Sequence, residues 1–294
     1  MSGSTETAGR WGLVAQFPAP LTARFARNRL AVAGVLVVVL FLLFCFVGPL
    51  LYSTDQTHTD LTQVNLPPSA DHWLGTDAVG HDELGRLMYG GQVSLLVGLA
   101  AGLLATVIGT LWGAVAGYAG GWVDAVMMRV VDAGIAIPAL FILLVVSAIT
   151  TPDTVGLIVV LGLVSWLVPS RLVRAETLTL KNRDYVLTLR ATGGTHGRAI
   201  IRHILPGSVS TIVVAATFQV ADAILLVAYV SYLGLGVQPP ATDWGGMLSA
   251  GLTAAYADRW WLIVPPGLAI ILVVCAFNAI GDGLRDAFDV KGRG

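Results

Sequence analysis

His72, Asp77, His81, Asp82 and Glu83 bring two imidazoles and three carboxylates into one short stretch. Such groups could hold a divalent cation or pass protons. No ligand spacing repeats tightly among them, so a solvated, hydrogen-bonded loop is expected there, with no metal bound. Asp222 is a different case. It lies with Gln219 near the middle of an apolar run, where an ionisable residue is costly. It either lines a water-filled path or pairs with a polar neighbour inside a helix bundle, and both readings stand. Arg129 and Asp132 are three apart and can pair on one helix face. Covalent chemistry lacks its usual signatures: GxxxxGK[ST], HExxH, GxSxG and CxxC are all missing. The chain is therefore not expected to be an enzyme or to bind a cofactor itself. Cys45 and Cys275 lie inside apolar runs and read as packing residues.

The elements that carry these residues are mostly apolar. Charged residues make up 12% of the chain, hydrophobic ones 55%, and mean hydropathy is +0.77. A soluble chain would carry about a quarter charged residues. An all-α polytopic membrane protein with about six spans is expected. Residues 1–29 are polar, with Arg24, Arg27 and Arg29 before the first run. Leu30–Leu51 is 22 residues long, enough at about 1.5 Å per residue to cross about 30 Å. It is too long for a signal core and no small-residue cleavage site follows, so it reads as an uncleaved first span.

Residues 52–92 form a long polar loop with Pro67-Pro68 and several glycines, read as turns. The core, 93–284, holds five more spans, near 93–118, 125–149, 155–169, 208–237 and 260–280. Gly109, Gly113 and Gly117 form GxxxGxxxG, a face on which another helix can approach closely. Pro138 should kink the third span. The fifth stretch is long for one span and should tilt, break or turn near Gly234–Gly236. Loop 238–259 contains Asp243 and Trp244, and Trp260-Trp261 open the last span as interface anchors. A short polar tail, 285–294, follows.

Between the fourth and fifth spans lies a polar island, 171–206. It carries seven bases (Arg171, Arg174, Lys181, Arg183, Arg190, Arg198 and Arg202) against two acids, Glu176 and Asp184. Six spans put both termini on the island's side, with 15 of the 17 lysines and arginines. The positive-inside rule then places the island and both termini in the cytoplasm of a multi-pass cell-membrane protein. The acidic 52–92 loop and the 238–259 loop face outside. Helical spacing sets Tyr185, Val186 and Leu189 on one face and Ile200, Ile201, Ile204 and Leu205 on another. Gly193-Gly194 break the helix between them and Pro206 closes the second piece. This amphipathic hairpin must bury its stripe against lipid, its own spans or a soluble partner. Anchoring to anionic lipid, at about 1 kcal/mol per base, explains the charge but not the layout. A rigid hairpin suits a groove on another protein.

The island's RATGGTHGRAIIRHILP resembles the cytoplasmic EAA loop of ATP-binding-cassette importer permeases. Gly193 matches its glycine and Leu205-Pro206 its closing Leu-Pro. Leu187, Thr188 and Leu189 stand where the EAA triplet would be, so the usual glutamate is missing. RFARNRLAVAG, HWLGTDAVGHDELGRLMYGGQVSL, YLGLGVQPPATDWGGML and GDGLRDAFD are similar to the C-type permeases of dipeptide, oligopeptide and nickel importers. Relatives often carry an acid where this chain has Val227; its own, Asp222, comes five residues earlier.

The resemblance implies the type I importer permease fold with a cytoplasmic coupling loop. It implies four kinds of partner: a B-type permease, two ATPase subunits that bind the ATP and Mg, a solute-binding protein and the lipid bilayer. Nucleic acid is not among them. Tyr185, Val186, Leu189, Arg190, Ala191, Gly193, Gly194, Arg198 and His203 would meet an ATPase. Gln219 and Asp222 would line the path. Asp77, Asp82, Glu83, Asp243 and Trp244 would face the binding protein, and peptide would be the cargo. The alternative is a proton- or ion-coupled secondary transporter using Asp222. It would need dimerisation, since no inverted repeat is visible.

Overall fold

The computed structural model describes residues 21–56, 58–252 and 258–288. Among these the chain is helical, with one isolated antiparallel bridge between Thr76 and Asp82. A short α1 (Leu21–Phe25) leads to α2 (Arg29–Phe46) and α3 (Gly48–Leu51). Asn28 caps α2 by accepting from the Leu30 and Ala31 amides at 3.1 and 3.2 Å. α2 and α14 (Val264–Phe288) approach closely at two small residues. A Cβ on Gly34 would lie 2.7 Å from the Ala276 carbonyl oxygen, and one on Gly283 2.2 Å from Ala31 Cβ.

Helix α4 (Glu83–Ala119) is the mast of the bundle, 37 residues long. It begins ten residues before the expected span, so the end of the 52–92 segment is helix and not loop. Asp82 starts it by accepting from the Gly85 amide at 2.8 Å. Gly75 and Gly80 turn the chain as expected, at φ +74° and +87°, whereas the glycines inside the helix are contact points. Gly85 faces Thr54 and Gln56, and Gly91 faces Cys45 and Trp244. Further along, the GxxxGxxxG face meets α8 (Leu167–Leu180). A Cβ on Gly109, Gly113 or Gly117 would fall 2.6, 2.3 or 2.8 Å from atoms of Trp166, Ser170 or Thr177. Glycine here trades helix propensity for backbone contact, which in lipid is what holds helices together. On another face of α4, Ala101 and Val97 join Leu143, Leu157, Leu161 and Val227 in a buried cluster.

The third and fourth spans are broken. α5 (Gly121–Ile135) and α6 (Ala139–Thr150) meet at 76°, with Pro138 at the break. Proline fixes its own φ and lacks an N–H, so the corner falls where it stands. α7 (Thr154–Ser165) and α8 meet at 45° at Trp166. α8 carries the fourth span on to Leu180, so the first ten residues of the island extend a span and are not hairpin. The fifth span, α12 (Val209–Tyr232), ends in a turn at Gly234, whose φ is +79°. α13 (Trp244–Leu252) and a turn at Trp260–Leu262 precede α14. Among the described residues four helices are long and apolar enough to cross a membrane, and six spans result if each bent pair is one. One end of the bundle carries the island and is called the basic end here. The other carries the 52–82 and 238–246 loops and is called the acidic end.

Candidate functional site

At the basic end the island is built on α8. Arg174 grips Asp124 with two hydrogen bonds, 2.5 and 2.6 Å long, and Arg171 reaches Asp132 at 2.5 Å. Asp132 thus pairs across helices and not with Arg129 on its own. Lys181 Nζ donates to the Gly117 carbonyl at 2.8 Å, satisfying a free acceptor at the end of α4. Three of the seven bases therefore fasten the loop to the bundle.

The hairpin follows. α9 (Asp184–Ala191) leads through Gly193, with φ +82°, to α10 (His196–Ala199). Thr195 caps α10 by accepting from the Arg198 amide at 3.4 Å. A π-helical turn, Ile200–Ile204, and α11 (Leu205–Gly207) then run into α12. Pro206 does not close this arm: at the first turn of α11 its missing N–H costs nothing, and the chain continues as helix.

The hairpin's seam is filled from within. Val186, Ala199 and Ile204 are fully buried with Tyr118 at the end of α4, and Leu189 and Ile200 pack against them. His196 leans edge-on against Tyr118, ring centroids 5.6 Å apart, with Nδ1 3.4 Å from the hydroxyl. Val186 thus turns inward, and Leu189 is half-buried against it. Tyr185 is one position, about 100°, round the helix from Val186 and is exposed, with its ring 5.8 Å from that of His203. Ala191, Gly193 and Arg198 are exposed, Gly194 and His203 half-buried, and Ile201 stands out at 69% exposure. Leu187, which stands in place of the EAA triplet's first residue, is exposed beside Tyr185. Arg190 lies within α9, and its side chain is outside the described residues.

Midway along the bundle, Gln219 and Asp222 of α12 line one cavity of about 360 Å³. Gln219 is buried and Asp222 exposed. The rest of the lining comes from both broken spans, Ile137, Pro138 and Ala139 on one side and Ser165, Leu167 and Val168 on the other, with Tyr229. Corners free backbone carbonyls, which suits them to line a cavity and not to face lipid. A lone proline and a serine gave the sequence no sign that the two corners meet.

At the acidic end the expected partner-facing set is mostly interior. Asp82, Glu83, Asp243 and Trp244 are all at or below 5% exposure, and Asp77 is half-buried. Asp82 accepts from Tyr52 Oη at 2.9 Å and sits 2.9 Å from His72 Nδ1. Burial first, and this carboxylate second, push the Tyr52 hydroxyl up to about 12. Asp77 holds Arg86 at 3.4 Å and His81 at 3.2 Å. Asp243 caps α13, accepting from Gly245 and Gly246 at 2.8 and 3.1 Å. Burial raises its carboxyl above the usual range, and those amides offset part of that. Trp244 donates to the Leu87 carbonyl at 2.9 Å and lies edge-on to Phe41. These side chains bolt the loops onto α4. The residues that reach the surface instead are Leu61, at 75% exposure, and Trp73, at 64%. Among the described residues no three His, Cys, Asp or Glu side chains converge on a point where a metal could sit.

A family described as "Binding-protein-dependent transport system inner membrane component" matches residues 109–293, and "N-terminal TM domain of oligopeptide transport permease C" matches 21–68. The dipeptide transport system permease protein DppC of Bacillus subtilis (strain 168) is 38% identical over 268 residues, 91% of this chain and 84% of that protein. The oligopeptide transport system permease protein OppC of the same organism is 38% identical, over 91% of this chain and 88% of its own. OppC of Escherichia coli (strain K12) is 41% identical over 272 residues, 92% of this chain and 90% of that protein. With a family match over more than half its length and relatives aligned nearly end to end, the chain belongs to the inner membrane components of binding-protein-dependent transport systems, as a multi-pass permease.

Proposed function

We propose that this permease is the C-type half of a peptide importer of the dipeptide and oligopeptide class, driven by ATP bound on two separate ATPase subunits. A B-type permease completes the path, and a solute-binding protein delivers peptide at the acidic end, which faces outward. The basic end and both termini are cytoplasmic, in keeping with the charge asymmetry.

One observation carries the reading. The hairpin is joined to α12 by continuous helix from His196 to Tyr232 but for a single residue, Ser208, whose own amide still bonds to Ile204. The same hairpin is seated on the end of α4 through Tyr118. A push on its exposed face, Tyr185, Leu187, Ala191 and Arg198, is therefore delivered to the helix that carries Gln219 and Asp222. The chain does no covalent chemistry. It converts closure of an ATPase into a change of packing between two states of the bundle. Asp77 and the exposed Trp73 lie at the face that would receive the binding protein, whereas the buried acids there hold that face in shape. The family match lends nothing to the secondary-carrier alternative.

The test is uptake of labelled peptide into proteoliposomes holding this chain, its B-type partner and the ATPases. Uptake should require internal ATP and stop when the ATPases are left out. Uptake that continues without ATPases and collapses with a proton gradient would refute the proposal.

A further inference from the structure

The acidic end holds a second cavity, of about 530 Å³, walled by the loop before α4, by α13 and by the Trp260–Leu262 turn. Glu83 lines it. This residue is 3% exposed and occupies the first position of α4, where the helix dipole favours a carboxylate. The other charges on that wall are matched. Arg86 is held by Asp77 at 3.4 Å, donates to Thr242 Oγ1 at 3.1 Å and lies 2.9 Å from His81 Nδ1. Asp82, the neighbouring acid, is taken up by Tyr52 and His72. The Glu83 carboxylate accepts no hydrogen bond from any described residue. A buried carboxyl without a hydrogen-bond partner is costly to ionise, a cost that a cation seated beside it would offset.

Two further groups on the wall lack partners among the described residues. His81 Nε2 is buried without one, while Nδ1 of the same ring lies 2.9 Å from Arg86 and 3.2 Å from Asp77. Gln56 Oε1 is buried without a donor. The remaining wall is apolar, with Val79, Pro239, Met247 and Leu262. Since no three ligating side chains converge here, a metal ion has no coordination shell. One carboxylate, one amide oxygen and dry walls suit an organic cation, whose nitrogen donates while its carbons prefer the apolar side.

We propose that this cavity holds a primary ammonium group, its nitrogen set against Glu83 and the Gln56 amide oxygen. For the peptide importer proposed above, on which this choice of ligand rests, the group is the free amino end of an arriving peptide. The ethanolamine headgroup of a lipid carries the same ammonium from another source.

The full chain in phosphatidylglycerol nanodiscs, which offer no amine, is titrated with dialanine and with N-acetyl-dialanine by calorimetry. Dialanine should bind about tenfold or more tightly than the acetylated form, because only it keeps the ammonium. Glu83→Gln should weaken dialanine about tenfold and leave the acetylated peptide unchanged. The two peptides are compared on the unaltered chain, so that arm stands even if the variant folds poorly. Equal binding of the two peptides, or no binding of dialanine, overturns the proposal. Loss of dialanine binding in Asp222→Asn with Glu83→Gln intact also overturns it, by placing the ammonium in the mid-span cavity. Competition by added phosphatidylethanolamine would keep the ammonium site and assign it to lipid. Failure here leaves ATP-driven uptake untouched, so the site and the importer reading fall separately.

Discussion

The His196 and Tyr118 rings meet edge-on, 5.6 Å apart, and tie the second arm of the hairpin to the last turn of α4. Val186 reaches the same Tyr118 cluster from the first arm. The hairpin is thus a rigid cap on the mast, not a loose loop. Val186→Ala removes part of a fully buried side chain and should cost about 1–2 kcal/mol of local stability. Hydrogen exchange in 184–204 should quicken while α4 stays protected. Unchanged exchange would mean the seam is not closed in the membrane.

Two ion pairs fasten the base of the hairpin, and they should differ in worth. The Asp124 and Arg174 side chains are 12% and 32% exposed and meet in a bidentate geometry, whereas Asp132 and Arg171 are 45% and 49% exposed. Asp124→Asn should cost about 1–3 kcal/mol, as a charged hydrogen-bond pair lost from a partly dry site. Asp132→Asn should cost about 0–1 kcal/mol. Thermal unfolding in detergent ranks the two, and an equal loss would contradict the difference in burial.

Gly113 is the tightest point between α4 and α8, since a Cβ there would lie 2.3 Å from the Ser170 carbonyl oxygen. Gly113→Val should prevent α8 from seating and cost about 3 kcal/mol or more. Gly197→Ala serves as the control. Gly197 is exposed, has no neighbour within 4 Å of a Cβ and should be tolerated. Melting temperatures of the pair check this directly.

How far these relationships were legible depended on the kind of signal. Apolar runs marked the four long helices and both bent pairs, and the GxxxGxxxG spacing marked the face that meets α8. Span ends were harder. Glycine makes turns in water but contacts in a bundle, so Gly85, Gly90 and Gly91 read as loop while they lie in α4. The partners of Asp124 and Asp132 lie 50 and 39 residues away, beyond any local spacing rule. The buried loop acids looked exposed because polarity was taken for solvation. Asp82 meets Tyr52, 30 residues away in sequence, only once the loop closes on α4, whereas Asp243 is held locally as the cap of α13.

Asp243 should leave a mark in the pH dependence of stability. Burial raises its folded pKa above the unfolded carboxylate value. A raised acid pKa means the ionised form is disfavoured by folding. The group therefore costs nothing below the unfolded value, near 4, and its cost grows as pH climbs to the folded value. Asn keeps the oxygen that takes the Gly245 and Gly246 amides and cannot ionise. The melting temperature of Asp243→Asn relative to the parent should rise with pH above about 4 and then level off. A pH-independent difference would contradict the assignment.

The central claim is that the Gly193 hairpin transmits ATPase closure to the spans, and hydrolysis tests it most directly. Gly193 sits at φ +82°, which proline cannot adopt and asparagine tolerates. The measurement is ATP hydrolysis by the assembled importer, with and without peptide-loaded binding protein, for the parent, Gly193→Asn and Gly193→Pro. Loaded binding protein should stimulate the parent and the asparagine variant, and the proline variant should insert and assemble yet lose the stimulation. Full stimulation in an assembled Gly193→Pro importer would contradict the account.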